Sequence, residues 1–311
     1  MSVRLTRLRL ACFVALSLLG LTACRTAVPS ARPAPAPPPP RPTPGLFLYE
    51  VQSAAGTAHL LGTIHLGFGF DEVLTPDARR RFEASERVMT EADIGSADPE
   101  TLVQAALLPP ERSLRKIVGP DTWQKLVARL GKQIPPPMLE RLEPWLPAVM
   151  LGMQDLEEAL AELKPGAQTR LMDLELTKQA TALGKSISHF ETVAEQIALF
   201  DTITLEEQVR ELAQELTGES SDNARSLLTA FAAGDEQALA RALFDEEQQT
   251  LAPGFYERVL YGRNERWLPV IERETTRGGA FIAVGAAHLL GPRGIVEELR
   301  KRGYRVTRVM Q

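Results

Sequence analysis

The chain has 311 residues, 44% of them hydrophobic and 24% charged, and a net charge of −5, which suits one large domain or one domain carrying a sizeable insertion. The first 44 residues hold six Arg and no Asp or Glu, so the rest carries −11; with no Lys/Arg-rich stripe, nucleic acid is excluded as a natural partner. Of the two Cys, Cys12 falls in an N-terminal apolar stretch, which leaves Cys24 with no disulfide partner and no thiolate metal site to join.

In chain order, Arg4, Arg7 and Arg9 precede the apolar residues 10–21, a stretch too short to span a bilayer comfortably. Leu21-Thr22-Ala23-Cys24 then has the form of a bacterial lipobox. Residues 1–23 are therefore expected to be a removed lipoprotein signal peptide. Cys24 would carry lipid and hold the protein in the cell envelope, at the outer membrane or the periplasmic face. Residues 25–44 are dense in Pro, including Pro37-Pro38-Pro39-Pro40, and read as a polyproline-like spacer. The folded domain is expected over residues 45–311.

Within it, residues 46–51 and 58–61 are strand-like runs around the turn-like Ser53-Ala54-Ala55-Gly56, so they predict a hairpin. A helix is expected over 76–85, with Pro76 in its first turn and Phe82 turned to the core, then a short strand over 87–93 that ends in acids. Residues 99–277 are mostly helical in pattern, with apolar residues at three- and four-residue spacing at 122–127 and 227–231. Pro135-Pro136-Pro137, Pro144 and Pro147 interrupt them, and 186–191 is a candidate strand inside. The end returns to strand 280–284, helix 294–302 and strand 304–309, with Gly303 at a helix C-cap position. The fold class this predicts is α/β: a central sheet built from N- and C-terminal βαβ-like pieces, with a large helical insertion at roughly 99–277.

Two copies of one pattern stand near opposite ends of that domain. Leu60-Leu61-Gly62-Thr63-Ile64-His65-Leu66-Gly67 and Val284-Gly285-Ala286-Ala287-His288-Leu289-Leu290-Gly291 each run from an apolar strand through a Gly to a His. In α/β sheets ligands bind at the carboxyl ends of strands, so His65 and His288 are candidates to meet there, for metal binding or acid–base work. Glu91 and Asp93, at the end of the next strand, are candidates for a metal ligand, a general base or an orienting group; a helix cap or solvated turn is the bland alternative. Arg263, ahead of the second motif beside Asn264, either stabilises negative charge from a buried position or lies idle on a helix surface. His59, inside its strand, and His189 read as structural. Trp123, Trp145 and Trp267 read as core packing, or, in a binding protein, as the wall of a groove.

These motifs, together with Glu143-Pro144-Trp145, Met172-Asp173-Leu174, Gly184-Lys185, Phe190-Glu191-Thr192, Gln196 and Arg263-Asn264-Glu265, resemble the TraB/GumN family, which also includes the Tiki proteins. The resemblance covers most of the chain after Gly45 and implies a fold similar to the erythromycin-esterase and ChaN-like enzymes. The Tiki branch is associated with metal-dependent proteolysis that needs both Gly-x-x-His motifs. Carried to this chain, that assigns His65 and His288, with Glu91 as the matching acid and Gly62, Gly285, Asn264, Glu191 and Asp173 in support. Leu171-Met172 ahead of Asp173 and His189-Phe190 ahead of Glu191 depart from the family's usual residues, which leaves the roles of those two acids open. The expected function is a metal-dependent hydrolase acting on a peptide or protein. A divalent ion (Zn, Mn or Co) would be held by His65, His288 and Glu91, with Arg263 steadying developing charge. A metal-free His/Glu hydrolase of the esterase kind and a non-catalytic binding lipoprotein are the alternatives.

Overall fold

A computed structural model of the protein describes residues 47–96, 104–167, 169–217, 219–244, 249 and 253–310. The expected signal peptide, Cys24 and the Pro-rich spacer lie outside the described residues. Among those described, no helix is long and apolar enough to cross a membrane.

The fold is α/β. Six strands, β1 (Phe47–Gln52), β2 (Thr57–Thr63), β3 (Arg87–Thr90), β4 (Ser186–His189), β5 (Ala280–Gly285) and β6 (Arg305–Arg308), form one sheet in the order β4-β3-β5-β2-β1-β6. β1 and β2 make the predicted hairpin, and β6 runs antiparallel to β1. The other pairings, β2 with β5, β5 with β3 and β3 with β4, are parallel. β5, Ala-Phe-Ile-Ala-Val-Gly, is buried along its whole length because a central parallel strand is covered on both faces.

Two features of this sheet go beyond the expectation of joined chain ends. β5, from near the C-terminus, is inserted between β2 and β3 and so touches both N-terminal strands. β4, from inside the helical middle, becomes the edge strand next to β3. β3 and β4 also end earlier than their apolar patterns suggest. Ladder pairing of β3 with β5 stops at Met89↔Ile282. Beyond Thr90 the chain continues beside the end of β4, where Glu91 O accepts from Glu191 N at 2.9 Å.

Helices α1 (Pro76–Ala84), α2 (Leu114–Leu130), α3 (Trp145–Leu163), α4 (Met172–Ala182), α5 (Val193–Asp201), α6 (Leu205–Glu215), α7 (Glu219–Ala233), α8 (Glu236–Leu243), α9 (Gly262–Arg277), α10 (Ala286–Leu289) and α11 (Ile295–Lys301) cover the sheet and build the insertion. Their ends follow from local chemistry. Thr75 caps α1, and Pro76 opens it. Thr192 with Glu195 and Thr204 with Glu207 form reciprocal capping boxes at α5 and α6. Gly303, with φ of 88°, follows α11 as expected of a helix-ending glycine.

The hairpin turn is fastened to the end of α9. Ser53 Oγ accepts from the backbone of Ala55 and Gly56, and Gly56 presses on the last turn of that helix. A Cβ at Gly56 would lie 2.5 Å from Thr275 O and 2.7 Å from Thr276 O, both backbone atoms that cannot swing aside. Gly56→Ala is therefore expected to destabilise the protein by about 1–3 kcal/mol, the range for overpacking. Equilibrium denaturation of the variant beside wild type checks this, and an unchanged midpoint would show that the turn is free to move.

Candidate functional site

The parallel register of β2 and β5 sets Gly62 opposite Val284 and Thr63 opposite Gly285. The two Gly-x-x-His motifs therefore leave the sheet side by side at the carboxyl ends of their strands. The two glycines have different tasks there. A Cβ at Gly62 would stand 3.0 Å from Phe47 Cβ and 3.2 Å from Ala286 Cα, so this glycine lets β2 pack against the start of α10. A Cβ at Gly285 would stand 3.0 Å from His65 Nε2 and 3.3 Å from Glu91 Oε1, so this one keeps the space between those side chains clear.

Glu91 is the hub. It follows β3, is 3% exposed, and has both oxygens engaged. Oε1 accepts from Gly285 N at 2.7 Å, and Oε2 accepts from Arg263 Nη2 at 2.7 Å. His65 Nε2 lies 3.9 Å and His288 Nε2 3.7 Å from Oε1. Burial opposes a charge on Glu91, but Arg263, the two imidazoles and the Gly285 amide outweigh it and hold its pKa down at about 2. It is a carboxylate at any working pH.

Each histidine is oriented through its other nitrogen. His65 Nδ1 lies 2.6 Å from Asp173 Oδ2, and Thr63 Oγ1 donates to Asp173 Oδ1 at 3.1 Å. Asp173 opens α4, and an isolated bridge of Leu66 to Leu171 brings that helix to the His65 turn. Asn264 Nδ2 donates to the carbonyls of His288 and Arg293, so its Oδ1 faces His288 Nδ1 at 2.7 Å as an acceptor. Both Nδ1 atoms thus carry hydrogen, and when the rings are neutral the lone pairs sit on Nε2, the atoms that converge on Glu91.

The two rings titrate in opposite directions. Burial lowers His288 to about 3, Arg263 pushing the same way against the pull of Glu91. For His65 burial also opposes the charge, but Asp173, by charge and hydrogen bond, and Glu91 prevail, and its pKa is raised.

Arg263, fully buried near the start of α9, spans the cluster. Nη1 faces His288 Nε2 at 3.1 Å, and Nε donates to Glu191 Oε2 at 2.9 Å. Glu191 also accepts from Arg266 Nη2 and from Trp267 Nε1. The indole of Trp267 lies 4.5 Å from the Arg263 guanidinium and 4.5 Å from the His288 ring, with Phe190 stacked on it at 4.8 Å. Trp267 is thus part of this site and not merely core. Its signal in the sequence is its place four residues after Arg263, on the same helix face. A π-helical turn over Tyr256–Tyr261, which no sequence pattern announces, leads into α9 and sets the phase at which Arg263 and Asn264 enter the site.

The remaining candidates lie apart from this cluster. His59 sits on β2 between Glu50 and Arg81, its pKa lowered by burial and by Arg81. His189 ends β4, 2.7 Å from Thr90 Oγ1, and Asp93 stands two residues past Glu91 where its charge acts on His189. Trp145 stacks on Phe200 in the insertion, and Trp123 is partly buried against the core.

The donor set suits a divalent cation: two imidazole nitrogens and a carboxylate oxygen converge, both rings are oriented from behind, and Gly285 leaves room between His65 and Glu91. Among the described residues, however, no three His, Cys, Asp or Glu side chains form a ready-made metal cage. The guanidinium of Arg263 occupies His288 Nε2 and Glu91 Oε2.

A family model described as the TraB/PrgY/gumN family matches residues 47–308. Among curated proteins, the chain is 25% identical over 305 aligned residues to Metalloprotease TIKI1 of Danio rerio, covering 80% of this chain and 60% of that protein. It is 24% identical over 306 residues to Metalloprotease TIKI2 of Danio rerio, with 80% and 58% covered. It is 25% identical over 309 residues to Metalloprotease TIKI2 of Xenopus tropicalis, with 80% and 57% covered. The chain spans about three fifths of the length of these relatives. No solved structure matches it.

The titration pattern fixes the sign of the pH dependence. What His288 contributes to stability is complete above its ordinary value of 6.5 and is lost as pH falls toward 3, because the unfolded chain takes up the proton first. Glu91 adds a loss of the same sign below 4.5. His65 acts the other way, its contribution present below 6.5 and lost as pH rises through its raised pKa. In metal-stripped protein, stability should fall from pH 6.5 to 4.5, and in His288→Gln that fall should be shallower by up to about 1.4 kcal/mol per pH unit. Urea denaturation at several pH values measures it; parallel curves for the two proteins would contradict a neutral His288.

Proposed function

This chain belongs to the TraB/PrgY/gumN family, and from that membership and the cluster around Glu91 we propose that it is a metal-dependent hydrolase of the peptidase kind. The observation that carries the reading is the convergence of His65 Nε2 and His288 Nε2 on Glu91 Oε1, each ring backed at Nδ1. The names of the TIKI relatives support a protease-like activity.

In this reading His65, His288 and Glu91 hold the ion, with Zn, Mn and Co all compatible with nitrogen and oxygen donors. A divalent ion there supplies a Lewis acid that lowers the pKa of water and polarises a carbonyl. Asp173 and Asn264 fix which imidazole nitrogen is offered. Glu91, held down near 2, is too weak a base to take a proton from water and suits the role of charged ligand. Arg263, freed at Nη1, balances negative charge developing on the substrate. Lipid on Cys24 would tether the domain in the cell envelope, with the Pro-rich segment as spacer; Cys24→Ser would then release the protein from membranes on fractionation.

A metal-free reading draws on the same contact: Asp173 at 2.6 Å from His65 is also the arrangement of a base and its orienting acid. In that version His65 takes the proton from water directly.

Metal analysis and a peptide-library assay on wild type, His65→Ala, His288→Ala and Asp173→Asn separate the two. The metal reading expects near-stoichiometric divalent metal in wild type, its loss with hydrolysis in both Ala variants, and an affinity weakened about 10–100-fold in Asp173→Asn. Full hydrolysis by exhaustively chelated wild type would move the assignment to the metal-free version, hydrolysis by His288→Ala would end the metal reading, and hydrolysis by His65→Ala would end both.

A further inference from the structure

We propose that Arg263 is a built-in competitor for the metal: its guanidinium and the divalent ion contend for the same lone pair on His288, and that contest sets how tightly the centre binds. The inference rests on the metal-binding reading above and adds to it a residue that limits affinity.

The argument is one of valence and charge. Asn264 Oδ1 takes the Nδ1 hydrogen of His288, so Nε2 has one lone pair to give. Arg263 Nη1 stands on it at 3.1 Å. A guanidinium hydrogen and a metal cannot share that lone pair. The same guanidinium donates to Glu91 through Nη2 at 2.7 Å and to Glu191 through Nε at 2.9 Å, and Arg266 Nη2 adds a second cation on Glu191 at 3.1 Å, so two guanidinium groups balance these two acids. A metal entering beside Glu91 adds charge where charge is already balanced.

The geometry also makes exchange feasible. Nη1 has a second acceptor, Val259 O at 3.4 Å, contributed by the π-helical turn just ahead of α9. If Nη1 loses His288, it keeps that carbonyl, while Nη2 and Nε keep their carboxylates and the guanidinium keeps its place against Trp267. Displacement therefore costs one N–H its acceptor at His288 while the other bonds of the guanidinium stay in place, a cost that falls on metal affinity and not on the core.

The test is isothermal titration of the metal-stripped full-length protein with ZnCl2, MnCl2 and CoCl2, comparing wild type with Arg263→Lys, and circular dichroism to confirm folding. Lysine keeps one positive charge between the acids but lacks the planar fork whose Nε, Nη1 and Nη2 face Glu191, His288 and Glu91 from three separate positions. The proposal expects Arg263→Lys to bind at the same stoichiometry about tenfold tighter, the lower end of what outer-shell groups do to metal affinity. Equal or weaker binding by folded Arg263→Lys overturns the proposal and leaves the metal reading standing. Absence of binding by both proteins removes the two together. If Arg263→Lys does not fold, wild type decides: in protein labelled with 15N-arginine, saturation with ZnCl2 should shift the Arg263 side-chain resonances, and resonances unmoved at saturation overturn the proposal.

Discussion

A carboxylate almost wholly removed from water organises this molecule. An uncompensated charge of that kind costs several kcal/mol, so everything near Glu91 must be read as part of its solvation. The compensation comes from distant parts of the chain: a backbone amide from β5, a guanidinium from α9, and the imidazole of His65 after β2, whose charged form its surroundings favour. Loss of any one leaves the others short of a partner. The cluster is therefore a fold constraint as much as a candidate site, and it explains why an Arg, two His and the acids Glu91 and Asp173 are buried together at the carboxyl ends of strands otherwise rich in Val, Ile, Leu and Phe.

The two glycine-histidine motifs look alike in sequence but are not equivalent in space. Gly62 accommodates the approach of a helix, whereas Gly285 clears the ground between His65 and Glu91. Their histidines differ as well. Asp173 behind His65 favours its charged form, and the neutral Asn264 behind His288 does nothing to offset burial. Similar presentation by two strand ends has yielded two imidazoles whose pKa values are pushed apart, His65 upward and His288 downward. Such a separation of pKa values between neighbours is the arrangement that acid–base chemistry exploits.

Much of this was legible in the sequence. Strand–Gly–x–x–His read as strand ends because apolar runs of β2 and β5 stop at small residues, and Pro76 and Gly303 marked one helix start and one helix end. Glu91 and Arg263 could be nominated because charged residues next to apolar strand and helix patterns are expensive to bury idly. The unread parts depend on pairing between remote segments. Nothing in Ala280–Gly285 says that it lies between β2 and β3, and nothing in Ser186–His189 says that it reaches the sheet at all. Trp267 looked like core because indole burial is ordinary; its contact with His288 follows only once α9 has been laid beside α10. The π-helical turn is a fault in hydrogen-bond phase, and residue periodicity does not encode it.

The placement of β5 has a temporal consequence. Register pairs such as Ala58↔Ala280 and Val88↔Phe281 join residues made near the beginning of the domain to residues made near its end. Loop closure over such spans is entropically slow, and contact orders of this kind belong to late-forming structure. Until β5 threads between its neighbours, Glu91 has neither its amide nor its full set of imidazoles. Whatever chemistry the cluster performs is thereby withheld from the nascent chain, and only the finished domain has it.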